Sequence, residues 1–104
     1  MSLSTHVLDT ARGRPAAGVA VRLTRVRDGA ELAAGVTDAD GRLRLTDEPL
    51  ETGAHRLTFD TGRYLGPDAF FPEVSVVFTI ADPSEHHHVP LLLSPFGYST
   101  YRGS

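Results

Sequence analysis

The sequence predicts an all-β fold, a sandwich of seven to eight short antiparallel strands with one short helix. Three observations lead to this fold class. Apolar and polar residues alternate with a period of two over much of the chain. Turn-forming groups of Gly, Pro and Asp separate these runs about every ten residues. A single segment shows a convincing helical pattern. The 104 residues are enough for one compact domain, which we place over residues 1–104.

The first half of the chain contains two strand patterns. In the segment 19–24, Val19, Val21 and Leu23 alternate with more polar residues, which is typical of a half-buried strand. Farther on, the turn-forming segment 38–41 ends in glycine and is followed by leucines that alternate with Arg42 and Arg44. We therefore predict a β-hairpin from about Glu31 to Thr46.

The second half of the chain supplies the helix and the remaining strands. Thr61–Leu65 is predicted as a short helix capped by Asp60 or Thr61. Pro90 interrupts the last apolar run, which favours an edge strand or a bulge at that point. Three strands are predicted here: His55–Phe59, Val74–Ala81 and His87–Ser94.

The composition excludes several classes of function. The formal net charge is -3, and without a cluster of basic residues the chain has no surface that would neutralise nucleic-acid phosphates. It contains no lysine and no cysteine, so lysine Schiff bases, thiolate nucleophiles and cysteine-ligated metals are absent. No apolar run reaches the length of a membrane span, and no leader pattern begins the sequence, so we expect a cytoplasmic protein without a membrane partner. A domain this small gains stability from self-association.

The run of three histidines at 86–88 is the most conspicuous group of ionisable residues. In a strand, His86 and His88 point to the same face, and such a pair binds zinc when a further ligand, for example His6, is close. The run also fits a polar turn that leads into a strand, and this simpler interpretation is preferred. We therefore predict no metal site and no cofactor.

Other ionisable residues give weaker signals. Asp9 lies three residues after His6 and faces the opposite side of a strand, so a Ser-His-Asp triad is not supported. Arg42 and Arg44 share one strand face, which is typical of a solvated surface. The last residues, from Tyr98 onward, are polar like a frayed end, yet they alternate in a β-prone way and include an arginine suited to anions.

Four segments of the chain together resemble the family of 5-hydroxyisourate hydrolases, the transthyretin-like enzymes of urate breakdown. The segments are Ser4–Asp9, Thr37–Arg42, His88–Pro95 and Tyr101–Ser104. The terminal Tyr-Arg-Gly-Ser is the most specific, because transthyretin shares the Leu-Leu-Ser-Pro region but lacks this end. The resemblance extends over essentially the whole chain.

The resemblance implies a homotetramer of sandwiches with a through-channel and with sites at the subunit interfaces. It assigns catalysis to His6, Arg42 and His88, whereas His86 and His87 do not match the motif. The implied reaction hydrolyses 5-hydroxyisourate to 2-oxo-4-hydroxy-4-carboxy-5-ureidoimidazoline. The residues implied to bind this small substrate are Tyr101, Arg102, Gly103 and Ser104.

The residue types suit a hydrolysis that needs no metal. One neutral imidazole activates water, a second protonates the departing ring nitrogen, and an arginine stabilises the oxyanion. We prefer His6 as the base and His88 as its partner. Two alternatives remain, a transthyretin-type carrier of small ligands and a β-sandwich interaction module, and neither explains why all four segments occur together.

Overall fold

The computed structural model describes residues 3–104, in which nine strands and one short α-helix are found. Met1 and Ser2, the first residues of the segment in which a leader was sought, lie outside the described residues. A 3-10 turn over Gly66–Asp68 follows the helix. The elements in chain order are β1 (Leu3–Asp9), β2 (Arg14–Pro15), β3 (Ala20–Arg25), β4 (Glu31–Val36), β5 (Arg42–Thr46), β6 (Gly53–Phe59), α1 (Thr61–Leu65), β7 (Val74–Ile80), β8 (His87–Ser94) and β9 (Gly97–Thr100).

The strands form two sheets, as the predicted sandwich requires. The first sheet has the order β2-β1-β8-β9, and β5 pairs with β1 as well. The second sheet has the order β4-β3-β6-β7. The prediction of an all-β sandwich is confirmed, but one pair of strands differs from it, because β1 and β8 run parallel. Parallel strands require a long connection, and here nearly the whole chain separates the two.

The core lies between the two sheets and explains the alternating sequence pattern. In β1, Leu3, Thr5 and Val7 are fully buried, whereas the residues between them are only partly covered. Leu91 and Leu93 of β8 are likewise buried without exposed surface. Each such leucine contributes about 1.5–3 kcal/mol to the free energy of unfolding when it is fully buried.

The predicted hairpin over Glu31–Thr46 is wrong, although both of its strands exist. β4 pairs with β3 in the second sheet, whereas β5 pairs with β1 in the first. The intervening turn crosses from one sheet to the other because it is fixed to β1, where the Val7 amide donates to the Gly41 carbonyl at 2.7 Å. Gly41 has a φ of 74°, and a Cβ on it would lie 2.4 Å from the Val7 carbonyl oxygen. Only glycine satisfies both conditions.

Pro90 does not mark an edge, since β8 pairs with β1 on one side and with β9 on the other. It lies where the pairing with β9 stops, one residue beyond the Leu91–Thr100 pair. Because proline has no N–H, the pairing of β8 with the returning chain cannot continue through this residue. It resumes at the bridge between His88 and Gly103.

The helix begins and ends as predicted, with Asp60 as its cap. The Asp60 side chain accepts a hydrogen bond from the Arg63 amide. The Tyr64 hydroxyl of the helix donates to the buried Asp9 carboxylate at 2.8 Å, which ties the helix to β1. Burial and this hydrogen bond raise the pKa of Tyr64. Across residues 3–104 no helix has the length and apolar character needed to cross a membrane.

Candidate active site

The outer face of the first sheet, which points away from the core, gathers the polar residues of three strands. Ser4 and His6 of β1 lie on this face, as do Arg42 and Arg44 of β5. The strand register places His6 opposite Arg42 and Ser4 opposite His88. Residues that are far apart in sequence thus become neighbours, because β1 lies between β5 and β8.

A cleft of about 430 Å³ opens on this outer face. Its walls come from the strand positions just described, from the turn before β5 and from the end of the chain. The lining residues are Ser4, Thr5, Asp38, Arg42, Leu43, Arg44, His86, His88 and Ser104.

Asp38 holds the beginning of β5 in place and so positions Arg42. Its carboxylate accepts hydrogen bonds from the amides of Asp40 at 2.9 Å and Arg42 at 3.0 Å. Its own amide donates to the Arg42 carbonyl at 2.9 Å. An aspartate that caps a turn in this way fixes the backbone after it. The backbone of Arg42, from which the side chain extends, therefore has a defined position.

His88 is the central imidazole of the cleft. Its Nδ1 lies 2.8 Å from Ser4 Oγ. Burial lowers the pKa of His88 below its ordinary value of 6.5, and the nearby charges of His86, His6 and Arg42 lower it further. The ring is therefore neutral at physiological pH, as a base that accepts a proton must be.

His6 lies beside the cleft and faces the same side as Arg42. Its Nε2 lies 2.9 Å from the Asp40 carbonyl oxygen. Because a carbonyl only accepts, Nε2 carries the proton and Nδ1 remains for other partners. Asp9 is buried on the opposite side of β1, as the strand period predicts, and it does not orient His6.

The end of the chain packs directly against His88. The Gly103 amide donates to the His88 carbonyl at 2.8 Å. A Cβ on Gly103 would lie 2.5 Å from His88 Cδ2, so only glycine allows the chain to pass this close to the ring. Ser104 then reaches the cleft.

Tyr101 and Arg102 are not brought into the same cleft. They line a second cleft of about 300 Å³, between β7 and the end of the chain, which His87 and His88 also line. The Arg102 guanidinium lies 3.7 Å from the Glu85 carboxylate. Within one chain, the structure therefore gathers Arg42, His88 and Ser104, with His6 and Gly103 adjacent.

Two residues at the centre of this arrangement were not predicted as part of the hydrolytic site. Ser4 contacts His88, and His86, which the sequence paired with His88 only as a zinc-binding pair, lines the cleft beside it. A signal for Ser4 was present, because it lies two residues before His6 and therefore faces the same side of β1. The pairing of Ser4 with His88 has no signal in the sequence, since it depends on the parallel contact between the first and the eighth strand.

The donor set of this face does not resemble a metal site. Among residues 3–104, no group of three or more His, Asp or Glu side chains converges as metal ligands would. His87 points toward the core and is buried, so the three consecutive histidines do not act together. The groups that converge are the Arg42 guanidinium, the imidazoles of His86 and His88, and the Ser4 hydroxyl.

These groups fit the addition of water to a carbonyl carbon. A neutral imidazole accepts a proton from water, and a guanidinium stabilises negative charge on a carbonyl oxygen through charge-assisted hydrogen bonds. Both groups lie on a rigid sheet, which keeps them in place during a reaction.

Comparisons with known proteins show the family to which the chain belongs. A model of the HIUase/Transthyretin family matches residues 3–103. The 5-hydroxyisourate hydrolase of Mus musculus is 48% identical, over 98% of this chain and 94% of its own length. The structure of Klebsiella pneumoniae 5-hydroxyisourate hydrolase is 42% identical with a TM-score of 0.89, and each chain is covered completely. Sea bream transthyretin in complex with thyroxine is 35% identical with a TM-score of 0.86, over 99% of this chain and 95% of that one. The chain belongs to the HIUase/Transthyretin family.

Proposed function

We propose that this protein hydrolyses 5-hydroxyisourate to 2-oxo-4-hydroxy-4-carboxy-5-ureidoimidazoline, as a step of urate degradation. The observation that carries the proposal is the placement of Arg42, His88 and His6 on one face of the sheet around a cleft. Relatives named 5-hydroxyisourate hydrolase at 45–48% identity over nearly the whole chain support it.

The reaction adds water to a ring carbonyl carbon and opens the ring. In our assignment, His88 Nε2 accepts a proton from the water while the new C–O bond forms. Arg42 donates hydrogen bonds to the carbonyl oxygen, on which negative charge develops. The C–N bond of the ring then breaks, and His6 takes up a proton from solvent at Nδ1 and donates it to the departing nitrogen.

The hydrogen bonds of the two imidazoles favour His88 as the base, which differs from the prediction of His6 made from the sequence. The Nδ1 atom of His88 is occupied by Ser4, and the pKa of His88 is lowered, so the ring stays neutral with Nε2 available. His6 instead holds a proton on Nε2 toward Asp40.

We also propose that the protein is a homotetramer whose sites are completed at subunit interfaces. The support is apolar surface along two unpaired strand edges. Val77 of β7 is 54% exposed and Tyr98 of β9 is 43% exposed. Exposed apolar side chains on open strand edges give a second copy of the chain a surface on which to pack. Tyr101 and Arg102 act in substrate binding only if the assembly brings them to a site, and location in the cytoplasm stays a prediction.

A carrier without catalysis has the same fold, as the structural similarity to sea bream transthyretin illustrates. The fold therefore does not separate the two functions, and the residues of the outer face must do so. A carrier has no use for a neutral imidazole held by a serine beside an arginine. The paired ionisable groups favour the hydrolase.

The experiment follows the ultraviolet absorbance of freshly generated 5-hydroxyisourate with and without the protein. We expect the decay to be much faster than the spontaneous reaction and to yield the ring-opened product. Decay at the spontaneous rate, combined with saturable binding of aromatic ligands, would support the carrier instead.

A second experiment removes metal exhaustively with a chelator. Activity should persist, whereas loss of activity that zinc restores would make the histidines a metal site.

A further inference from the structure

The Ser4 side chain lies between two imidazoles at the wall of the cleft. Its Oγ is 2.8 Å from His88 Nδ1 and 3.1 Å from His86 Nε2. The two rings are nearly parallel, with centroids 6.5 Å apart and planes inclined by 18°. His86 is exposed, whereas His88 is partly buried.

A hydroxyl between two ring nitrogens couples the protons of both rings. Serine has one proton to donate and lone pairs to accept. When Ser4 accepts from His88 Nδ1–H, it donates to His86 Nε2, and His88 Nε2 then carries a lone pair. When His88 gains a proton at Nε2, its Nδ1 proton passes to Ser4 and the Ser4 proton passes to His86 Nε2, so His88 stays neutral and His86 takes the charge. The tautomer of His88 is thus set by the direction of the Ser4 hydroxyl.

We propose that Ser4 and His86 form a proton relay that carries to solvent the proton His88 takes from the attacking water. The inference rests on the proposed hydrolysis. As the water proton moves to His88 Nε2, the Nδ1 proton moves to Ser4 Oγ and the Ser4 proton moves to His86 Nε2. His86 becomes the imidazolium and releases the proton to solvent, and no atom changes its oxidation state.

The surroundings of His88 explain why such a relay helps. A positive charge on His88 is disfavoured by partial burial and by His86, His6 and Arg42, which lower the pKa of the ring. The relay moves the charge to an exposed ring, where water stabilises it. Arg44 and Asp38 also line the cleft, with opposite charges.

Ser4 and His86 are accordingly positioning residues, and substitutions at both test the relay. Ser4→Ala removes the hydroxyl, and we expect kcat to fall about 10- to 100-fold with KM little changed, because the base loses its oriented tautomer. Ser4→Thr keeps a hydroxyl and should restore most of the turnover. Ser99→Ala, on the exposed strand β9, is the matched control and should leave kcat unchanged.

Two further measurements distinguish a relay from a structural role. In mixtures of light and heavy water, a plot of the wild-type kcat against deuterium fraction should be curved, because several protons move in the same step. For Ser4→Ala the plot should be linear, as expected when a single proton moves. His86→Gln should lower kcat and move the acidic limb of the pH profile upward, toward 6.5, because a charge that lowers the pKa of His88 is removed.

The outcomes separate this inference from the proposed function. An inactive wild-type protein contradicts the hydrolysis itself. An active wild type with Ser4→Ala and His86→Gln at full kcat and with unshifted pH profiles overturns the relay alone. If Ser4→Ala does not fold, as judged by circular dichroism, the result for His86→Gln decides, because that exposed ring is not part of the core.

Discussion

The two faces of the five-stranded sheet are made from alternate residues of the same strands, yet they differ in chemistry. On the inner face, Leu3 of β1 and Leu91 of β8 are buried in the core. On the outer face, Ser4 and His88 meet at a cleft. Neighbouring residues of one strand therefore serve different purposes, since one stabilises the core and the next lines the cleft. Substitutions on the two faces should have separable effects.

The largest effect is expected for the ionisable groups of the outer face. His6→Ala, Arg42→Ala and His88→Ala should each lower turnover of 5-hydroxyisourate by roughly two or more orders of magnitude. The unfolding transition should change little, because none of the three side chains fills the core. A variant that loses turnover and unfolds at a much lower temperature would contradict the separation of the faces.

The end of the chain gives the next largest effect. Deleting residues 101–104 should abolish most of the catalysis. The deletion removes Gly103, whose amide donates to the His88 carbonyl, and Ser104, which lines the cleft. Sedimentation and circular dichroism should still show the intact assembly, since the core lies upstream. Full activity of the truncated tetramer would reduce these residues to a frayed end, and a truncated monomer would make their role structural.

Gly103→Ala is a milder version of the same test. The added methyl group would lie 2.5 Å from the His88 ring, which must then move. Turnover should fall by about tenfold, because displacement of a catalytic group by about 1 Å costs up to 10²-fold. Gly97→Ala is the matched control, because its added methyl group would make only ordinary contacts. Gly29→Ala is unsuitable, because the φ of Gly29 is 71°, at which an alanine is strained.

The inner face should show the reverse pattern. Leu91→Ala removes a fully buried side chain and should lower the free energy of unfolding by about 2–5 kcal/mol. Turnover well below the unfolding temperature should stay near that of the wild type. Chemical denaturation and the absorbance assay measure the two effects separately. Strong loss of turnover in a folded variant would show that the faces are coupled.

The smallest effect concerns pH. Because the pKa of His88 is lowered and the neutral ring is the base, activity should persist as the pH falls through 6.5 and be lost only below the shifted pKa. By linkage, the unfolded chain binds this proton more tightly, so the folded state loses stability as the pH falls below 6.5. An acidic limb above 6.5 would contradict the assignment of His88 as the base.

Local patterns predicted most of the fold. The alternating segments around Val21 and Leu57 and the apolar run around Leu91 form strands, and Asp60 caps the predicted helix. The failures are non-local. The turn that ends at Gly41 resembles a hairpin turn in sequence, and only its bond to Val7 shows that it crosses between sheets.

The candidate site was predictable for the residues that match a motif and less so for their neighbours. His6, Arg42 and His88 entered through the resemblance, and strand register then places them together. Ser4 was not predictable as a partner of His88, because 84 residues separate the two. The position of Arg102 beside Glu85 likewise depends on how the chain returns along β8.

We propose that the outer face hydrolyses 5-hydroxyisourate while the inner face only stabilises the fold, and two adjacent histidines of β8 test this division most directly. His88→Gln should lose about 100-fold or more in turnover and keep its unfolding midpoint. His87→Gln, on the buried side, should keep turnover within about twofold and lose stability instead. Equal loss of turnover in both variants, or full turnover in His88→Gln, would contradict the account.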